Sequence, residues 1–306
     1  MKLRLGPIIL LFTISIVAQE TRVASGKLER IPQFTSKYVD ARNIDVWLPD
    51  GYSQREKYAV LYMHDGQMLY DAATTWNKQA WDVDEVAGQL IKEGKTQPFI
   101  IVGIWNNSQK RHPEYFPKKP FEGLSKIEQD TVTRQLQKAG RTNESFRPIS
   151  DLYLKFLVTE LKPYIDKIYA TKFDRAHTFI AGSSMGGLIS MYALCEYPKV
   201  FGGAACLSTH WPGTFTIVNN PMPKAFIDYL KAHLPSAKTH KLYFDFGDQT
   251  LDAMYPKLQV EVDKVMESKG YTRSQWLTKF FPGKDHSEKS WHERFNEPLE
   301  FLMGTK

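Results

Sequence analysis

Residues 177 to 197 constrain this chain more than any other stretch. HTFIA (177–181) is an apolar run of strand length, Gly182-Ser183-Ser184-Met185-Gly186-Gly187 follows at once, and LISMYALCEY (188–197) then reads as a helix. Strand, tight turn and helix in direct succession is the setting that the pattern G-x-S-x-G requires, with Ser184 at its centre. Such a turn holds its middle residue in a strained backbone conformation. Side chains two residues to either side would collide with the turn or the neighbouring strand, so glycines are needed there. A hydroxyl presented this way can serve as a nucleophile.

The rest of the chain repeats the same rhythm. Arg42–Leu48 alternates in polarity and ends at the turn Pro49-Asp50-Gly51, and YAVLYM (58–63) and FIIVGI (99–104) are short apolar runs. After the central motif come Gly203–Leu207, LYFDF (242–246) and a weaker candidate, Trp276–Phe280. Helical periodicity fills the intervals at 151–168 (bent by Pro163), 188–195, 224–233 and 255–269. Buried strands alternating with helices predict an α/β fold: a mostly parallel central sheet with helices on both faces. Residues 106–147 break the rhythm. They are polar, basic and aromatic, contain Pro113, Pro117 and Pro120, and are too long for an ordinary connection, so they form an insertion, a lid or a substrate-binding segment. With 42% apolar and 24% charged residues the chain is neither disordered nor a polytopic membrane protein.

A net charge of +6 spread over 306 residues provides no nucleic-acid footprint, and two cysteines exclude a disulfide framework. Cys195 and Cys206 read as buried thiols. At the N-terminus Lys2 and Arg4 precede an apolar stretch, Gly6–Ala18, shorter than the ~18–20 residues of a spanning helix. This reads as a signal peptide over residues 1–18, cleaved after Ala18. It predicts an exported protein, periplasmic or extracellular, with no stable membrane insertion after cleavage and one catalytic domain over 19–306.

A serine nucleophile needs a base and an acid, in the chain order Ser, acid, His. His286 lies in a loop after the last strand candidate and before a C-terminal helix, where an imidazole can reach over the strand ends; it is the expected base. His210 follows the next strand and borders the pocket, His233 and His240 flank a polar connection and read as solvated, and His292 falls in the last helix. The acid should follow LYFDF, which leaves Asp252 and Asp248, with Asp252 favoured; Asp245 lies within the strand and belongs to the sheet. The oxyanion needs two backbone N–H donors: Met185, directly after the serine, and Gln67, in His64-Asp65-Gly66-Gln67, where Gly66 allows a tight turn. His64 reads as a structural histidine.

With these segments in view, the sequence resembles the esterase family of α/β hydrolases. That family includes enterochelin-type siderophore esterases, feruloyl and acetylxylan esterases of carbohydrate esterase family 1, S-formylglutathione hydrolase and the mycolyltransferases. The resemblance covers almost the whole chain after residue 18. It is carried by LYMHDGQMLYD (61–71), WDVDEV (81–86), VGIWNN (102–107), RHPEYFP (111–117), DLYLKFLVTELKPYIDKIYAT (151–171), AGSSMGG (181–187), YPKVFGGAACLS (197–208), FDFGDQTLD (244–252) and GKDHSEKSWHERF (283–295). It implies an α/β-hydrolase fold, a triad of Ser184, Asp252 and His286, and oxyanion donors at Gln67 and Met185. One departure is Gln249, where relatives often carry a carboxylate. No metal or organic cofactor is implied. Trp76, Trp105, Trp211 and Tyr115 are expected in loops at the strand ends as stacking surfaces for a small-molecule or glycan ester, and Arg111, with Lys110, Lys118 and Lys119, as a basic cluster for an anionic group. The expected activity is hydrolysis of acetyl or hydroxycinnamoyl esters of carbohydrates. Siderophore lactone hydrolysis, acyl transfer and a catalytically silent glycan or siderophore binder stand as alternatives.

Overall fold

The computed structural model describes residues 21–305, so the segment read as a signal peptide lies outside the described residues. Eight strands form one sheet: β1 (Lys27–Phe34), β2 (Arg42–Leu48), β3 (Ala59–His64), β4 (Phe99–Ile104), β5 (Thr178–Ser183), β6 (Gly203–Leu207), β7 (Lys241–Phe246) and β8 (Trp276–Phe280). Their spatial order is β1-β2-β4-β3-β5-β6-β7-β8. The β1/β2 and β2/β4 pairs are antiparallel and every later pair is parallel. The apolar runs of the sequence are the central strands, buried along their whole length. β1 carries no such run, because it is an edge strand with no fully buried residue, and no sequence signal marked it.

The helices are α1 (Val83–Lys92), α2 (Arg111–Tyr115), α3 (Lys118–Glu122), α4 (Lys126–Lys138), α5 (Ser150–Phe156), α6 (Lys162–Ile168), α7 (Met185–Glu196), α8 (Met222–His233), α9 (Pro256–Ser268), α10 (Glu288–His292) and α11 (Asn296–Met303). Strand alternation divides them into two layers. Val60 and Tyr62 of β3 face a core built with α2 to α9; Leu61 and Met63 face a second core built with α1, α10 and α11. Pro163 does not interrupt the long helical segment as a simple kink. A π turn over Leu157–Leu161 joins α5 to α6, and Pro163 sits in the first turn of α6, where a missing N–H is tolerated. α7 is buried on nearly every side because it packs under the middle of the sheet. The insertion contains three helices of its own, and Tyr115, Phe116, Phe121, Val132, Leu136 and Phe146 tie it into the larger core. Cys195 and Cys206 are both buried and free.

Candidate active site

β5 ends at Ser183, and α7 begins at Met185, so Ser184 alone makes the turn, at φ 58° and ψ −122°. That region is uncommon for a residue with a side chain and marks stored strain. The neighbouring glycines explain how the turn closes. A Cβ on Gly182 would lie 2.9 Å from the Gly186 carbonyl carbon, and one on Gly187 would lie 3.1 Å from the Leu207 carbonyl oxygen. The strand beside the turn holds it: the Ser184 N–H donates to Leu207 (2.9 Å), and the Ser184 carbonyl accepts from the His210 N–H (3.2 Å).

His286 Nδ1 meets Asp252 Oδ1 at 2.6 Å. Asp252 stands in a short 3-10 turn after β7 and is fully buried. Its other oxygen accepts from the Gly247 N–H (2.6 Å) and from the Ser208 hydroxyl (2.7 Å), so the carboxylate is braced on both sides. Ser208 Oγ also accepts from Trp291 Nε1 (3.0 Å) and Arg294 Nη2 (2.9 Å). Arg294 in turn pairs with Asp245 at 3.0 Å. Asp245 is therefore an anchor within the sheet; burial raises its pKa even beside Arg294. Asp248 faces away from the histidine, receiving the Gly283 N–H (2.8 Å) and the Gln249 side chain (2.9 Å). Thr250 Oγ1 accepts the His286 N–H at 3.0 Å and fixes the loop that carries the imidazole. Asp65, Ser184, Ser208 and Thr250 all have positive φ. Four of the eight non-glycine residues with positive φ among the described residues thus stand around one site.

At the end of β3 the tight turn is made by Asp65, left-handed at φ 58° and ψ 44°, and not by Gly66. Gly66 is needed for a different reason: a Cβ there would lie 2.6 Å from the Gly103 carbonyl carbon of β4. Among the described residues the N–H groups of Gln67 and Met185 have no hydrogen-bond acceptor, and both residues line the same cleft as Ser184 and His286. Met185 opens α7, where a first-turn N–H has no intrahelical acceptor. His64 is buried, bonds Tyr153 through Nδ1 at 2.8 Å, and has its pKa pushed down to about 3 by burial.

The cleft has a volume of about 840 Å³. Its lining includes Trp76, Asn77 and Gln79 from the segment after β3, and Ser108, Gln109, Arg141 and Phe215. Trp76 is 84% exposed, an unusual state for an indole. The insertion thus supplies part of the rim.

Several expected surface residues are elsewhere. Trp211 is fully buried; its ring packs on Phe244 and its N–H donates to Gln259 (2.9 Å), so it is a core residue and not a stacking surface. Trp105 lies off the cleft, donating to Asp45 (2.7 Å) beneath Arg30. Tyr115 is also buried. The basic cluster is neutralised in place: Lys110 pairs with Asp40, Lys118 with Glu122 and Lys119 with Glu196. Arg111 does line the cleft, but its guanidinium grips Asp65 at 2.8 and 2.6 Å. His210 borders the cleft as expected, buried, bonded to the Tyr255 hydroxyl (2.8 Å) and held well below its ordinary pKa by burial. His233 is exposed and stacked on Tyr229, whereas His240 is buried and bonds the Pro198 carbonyl at 2.7 Å, contrary to the solvated reading. Sequence reasoning missed Ser208, Asp65, Tyr255 and Arg294, whose only signal was their nearness to motif residues.

A strained serine on a strand–helix elbow of a mostly parallel sheet, beside a paired histidine and carboxylate, defines the serine-hydrolase class of α/β proteins. Residues 36–299 match the family described as "Putative esterase", and the chain belongs to that family of serine esterases. Over 214 residues it is 28% identical to an endo-1,4-beta-xylanase/feruloyl esterase of Xylanibacter ruminicola, covering 65% of this chain but only 23% of that enzyme. The uncharacterized protein YbbA of Bacillus subtilis is 23% identical over 271 residues, covering 86% of this chain and 93% of the relative. Among solved structures, an IroE-like serine hydrolase from Shewanella oneidensis shares the fold at TM-score 0.66 and 18% identity, over 90% of this chain and 80% of the other. The enterobactin esterase of Shigella flexneri does so at 0.64 and 15%, over 92% and 60%.

Proposed function

We propose that the chain is an exported hydrolase of carboxylic esters whose substrate is an acyl ester of a carbohydrate, acetyl or hydroxycinnamoyl. The observation that carries the reading is the convergence, on one cleft, of the strained Ser184, the Asp252–His286 pair and two N–H groups without acceptors among the described residues. His286 Nε2 takes the Ser184 proton as Oγ bonds to the ester carbonyl carbon. Asp252 fixes the tautomer and stabilises the imidazolium. The Gln67 and Met185 N–H groups hold the oxyanion; such a donor contributes about 3 kcal/mol. The tetrahedral adduct collapses, His286 protonates the leaving alkoxide, and the acyl-enzyme remains. Water then repeats the sequence, losing its proton to His286 and releasing the acid.

Support for a glycan comes from the rim. Trp76 offers an exposed flat face, and Asn77, Gln79, Ser108 and Gln109 offer neutral amides and hydroxyls, the combination that suits a sugar. The name of the Xylanibacter ruminicola relative points the same way. Arg141 favours a second reading, an anionic siderophore lactone. It lies on the cleft, stacks over Phe215 at 4.8 Å and has no carboxylate partner among the described residues. Export rests on the sequence of residues 1–18. One catalytic domain follows, with residues 106–147 as part of the cleft wall.

The test is turnover of p-nitrophenyl acetate, methyl ferulate, acetylated xylan and a catecholate trilactone by the protein and its Ser184→Ala variant. Hydrolysis of acetylated xylan or methyl ferulate, lost in the variant, is the expected result. Preference for the trilactone would favour the second reading. Binding without turnover of any ester would make the chain a silent binder and overturn the proposal. Trp76→Ala should raise KM for xylan and leave p-nitrophenyl acetate unaffected. N-terminal sequencing of secreted material checks cleavage after Ala18.

A further inference from the structure

The Gln67 N–H stands on a turn closed by one backbone bond of its own, from the Met68 N–H to the Asp65 carbonyl (2.8 Å). Asp65 occupies the left-handed region, from which an unrestrained residue with a side chain relaxes. Its carboxylate is held by three bonds from the insertion: Arg111 Nε to Oδ1 (2.8 Å), Arg111 Nη2 to Oδ2 (2.6 Å) and Asn106 Nδ2 to Oδ1 (2.6 Å). The Asp65 N–H donates to the Tyr115 hydroxyl at 3.3 Å. Beyond Gly66, Gln67 Oε1 accepts the Asn106 N–H at 3.1 Å. Both sides of the turn are thus tied to residues 106–115. The guanidinium also packs over the Tyr115 ring, 5.1 Å from its centre, which fixes its plane. Burial opposes ionisation of Asp65, but the guanidinium beside it holds the carboxyl below the usual range.

We propose that Arg111 is a positioning residue for the oxyanion: its two-pronged grip on Asp65 holds the left-handed turn that aims the Gln67 N–H into the cleft. The insertion then works as a strut for the catalytic centre as well as a rim. The inference rests on the esterase reading above. It also assigns two of the five N–H groups of Arg111, a residue that lines the cleft, to Asp65.

The test uses the full chain with Arg111→Ala, Arg111→Lys and Asp65→Asn, each assayed with p-nitrophenyl acetate and titrated with phenylboronic acid, whose tetrahedral serine adduct places an oxygen in the oxyanion position. Arg111→Ala should lower kcat about 100-fold, near the ~10²–10³-fold of a lost oxyanion donor, with KM within twofold. Phenylboronic acid affinity should fall in parallel. Millimolar guanidinium chloride should restore part of kcat in Arg111→Ala and none in Asp65→Asn. The double variant should be no worse than either single one, because both act through one contact. If Arg111→Ala does not fold, Arg111→Lys, which keeps the charge but loses the two-pronged geometry, should still show about a tenfold loss in kcat. A kcat within threefold of the parent, or a raised KM at unchanged kcat, overturns the inference and leaves the esterase reading intact. A parent chain inactive on every ester overturns both.

Discussion

Ser208→Ala removes one hydroxyl and disturbs three partners. The Ser208 hydroxyl donates to Asp252 (2.7 Å) and accepts from Trp291 (3.0 Å) and Arg294 (2.9 Å), using its one proton and both lone pairs. Arg294 keeps Asp245, but the buried indole N–H of Trp291 loses its acceptor, at about 1–3 kcal/mol, and the carboxylate loses a charge-assisted bond of about 1.5–3 kcal/mol. The expected loss is about 2.5–6 kcal/mol before relaxation, a large share of the ~5–15 kcal/mol that holds a folded domain. Catalysis should suffer less. Asp252 retains the Gly247 N–H, so kcat should fall about tenfold, well inside the ~10²–10⁴-fold that a positioned base contributes. Ser208 also has φ 41°, which glycine tolerates and alanine does not. Ser208→Gly should therefore be more stable than Ser208→Ala by about 1 kcal/mol despite losing the same hydroxyl. Urea denaturation of the three proteins at pH 7, with matched slopes, measures this. Midpoints for Ser208→Ala within ~0.5 kcal/mol of the parent would refute the network argument. Ser208→Gly at or below Ser208→Ala would refute the strain argument.

Three other expectations are simpler to check. Asp252→Asn should cut kcat by about a thousandfold or more by releasing the His286 tautomer, while Asp248→Asn should stay within about threefold; equal effects would mean that the wrong carboxylate has been chosen. Gly182→Ala places a Cβ 2.9 Å from backbone and should lose about 1–3 kcal/mol in a thermal or urea melt, with turnover lost as the elbow opens. His64 and His112 are buried neutral, with pKa values pushed from 6.5 to about 3 by burial, so the unfolded chain binds the extra protons as the pH falls. Their contribution is intact above about pH 6.5 and lost toward pH 3, at about 2 kcal/mol per histidine between pH 7 and pH 5. His112→Phe, which sits among Phe116 and Phe146, should flatten the acid dependence of the urea midpoint by one histidine's worth, and an unchanged dependence would sink the assignment.

The apolar runs at 58–63, 99–104, 177–181, 203–207 and 242–246 are strands because each is buried on both faces of one sheet, and a segment covered on both faces must be apolar throughout. The elbow was equally legible, since Gly182 answers to the Gly186 backbone four residues on, although Gly187 answers to Leu207 on the neighbouring strand. β1, an edge strand half in water, and α1 left no comparable run. Aromatic residues misled in the other direction. Trp211 and Tyr115 sit in polar segments that read as binding loops, yet partners distant in sequence bury them.

The chain's own order of residues therefore determined the parallel sheet, the serine on its turn and the histidine loop, each of which depends on local pattern and sterics. Only the tertiary structure shows that Asp252, and not Asp248, meets the His286 ring. They lie four residues apart on one turn, and the choice depends on which carboxylate meets Gly247, Ser208 and His286 at once. It also decided that Arg111 is held by Asp65, 46 positions away, because a charge takes the partner that folding brings to it and sequence distance sets no limit on that.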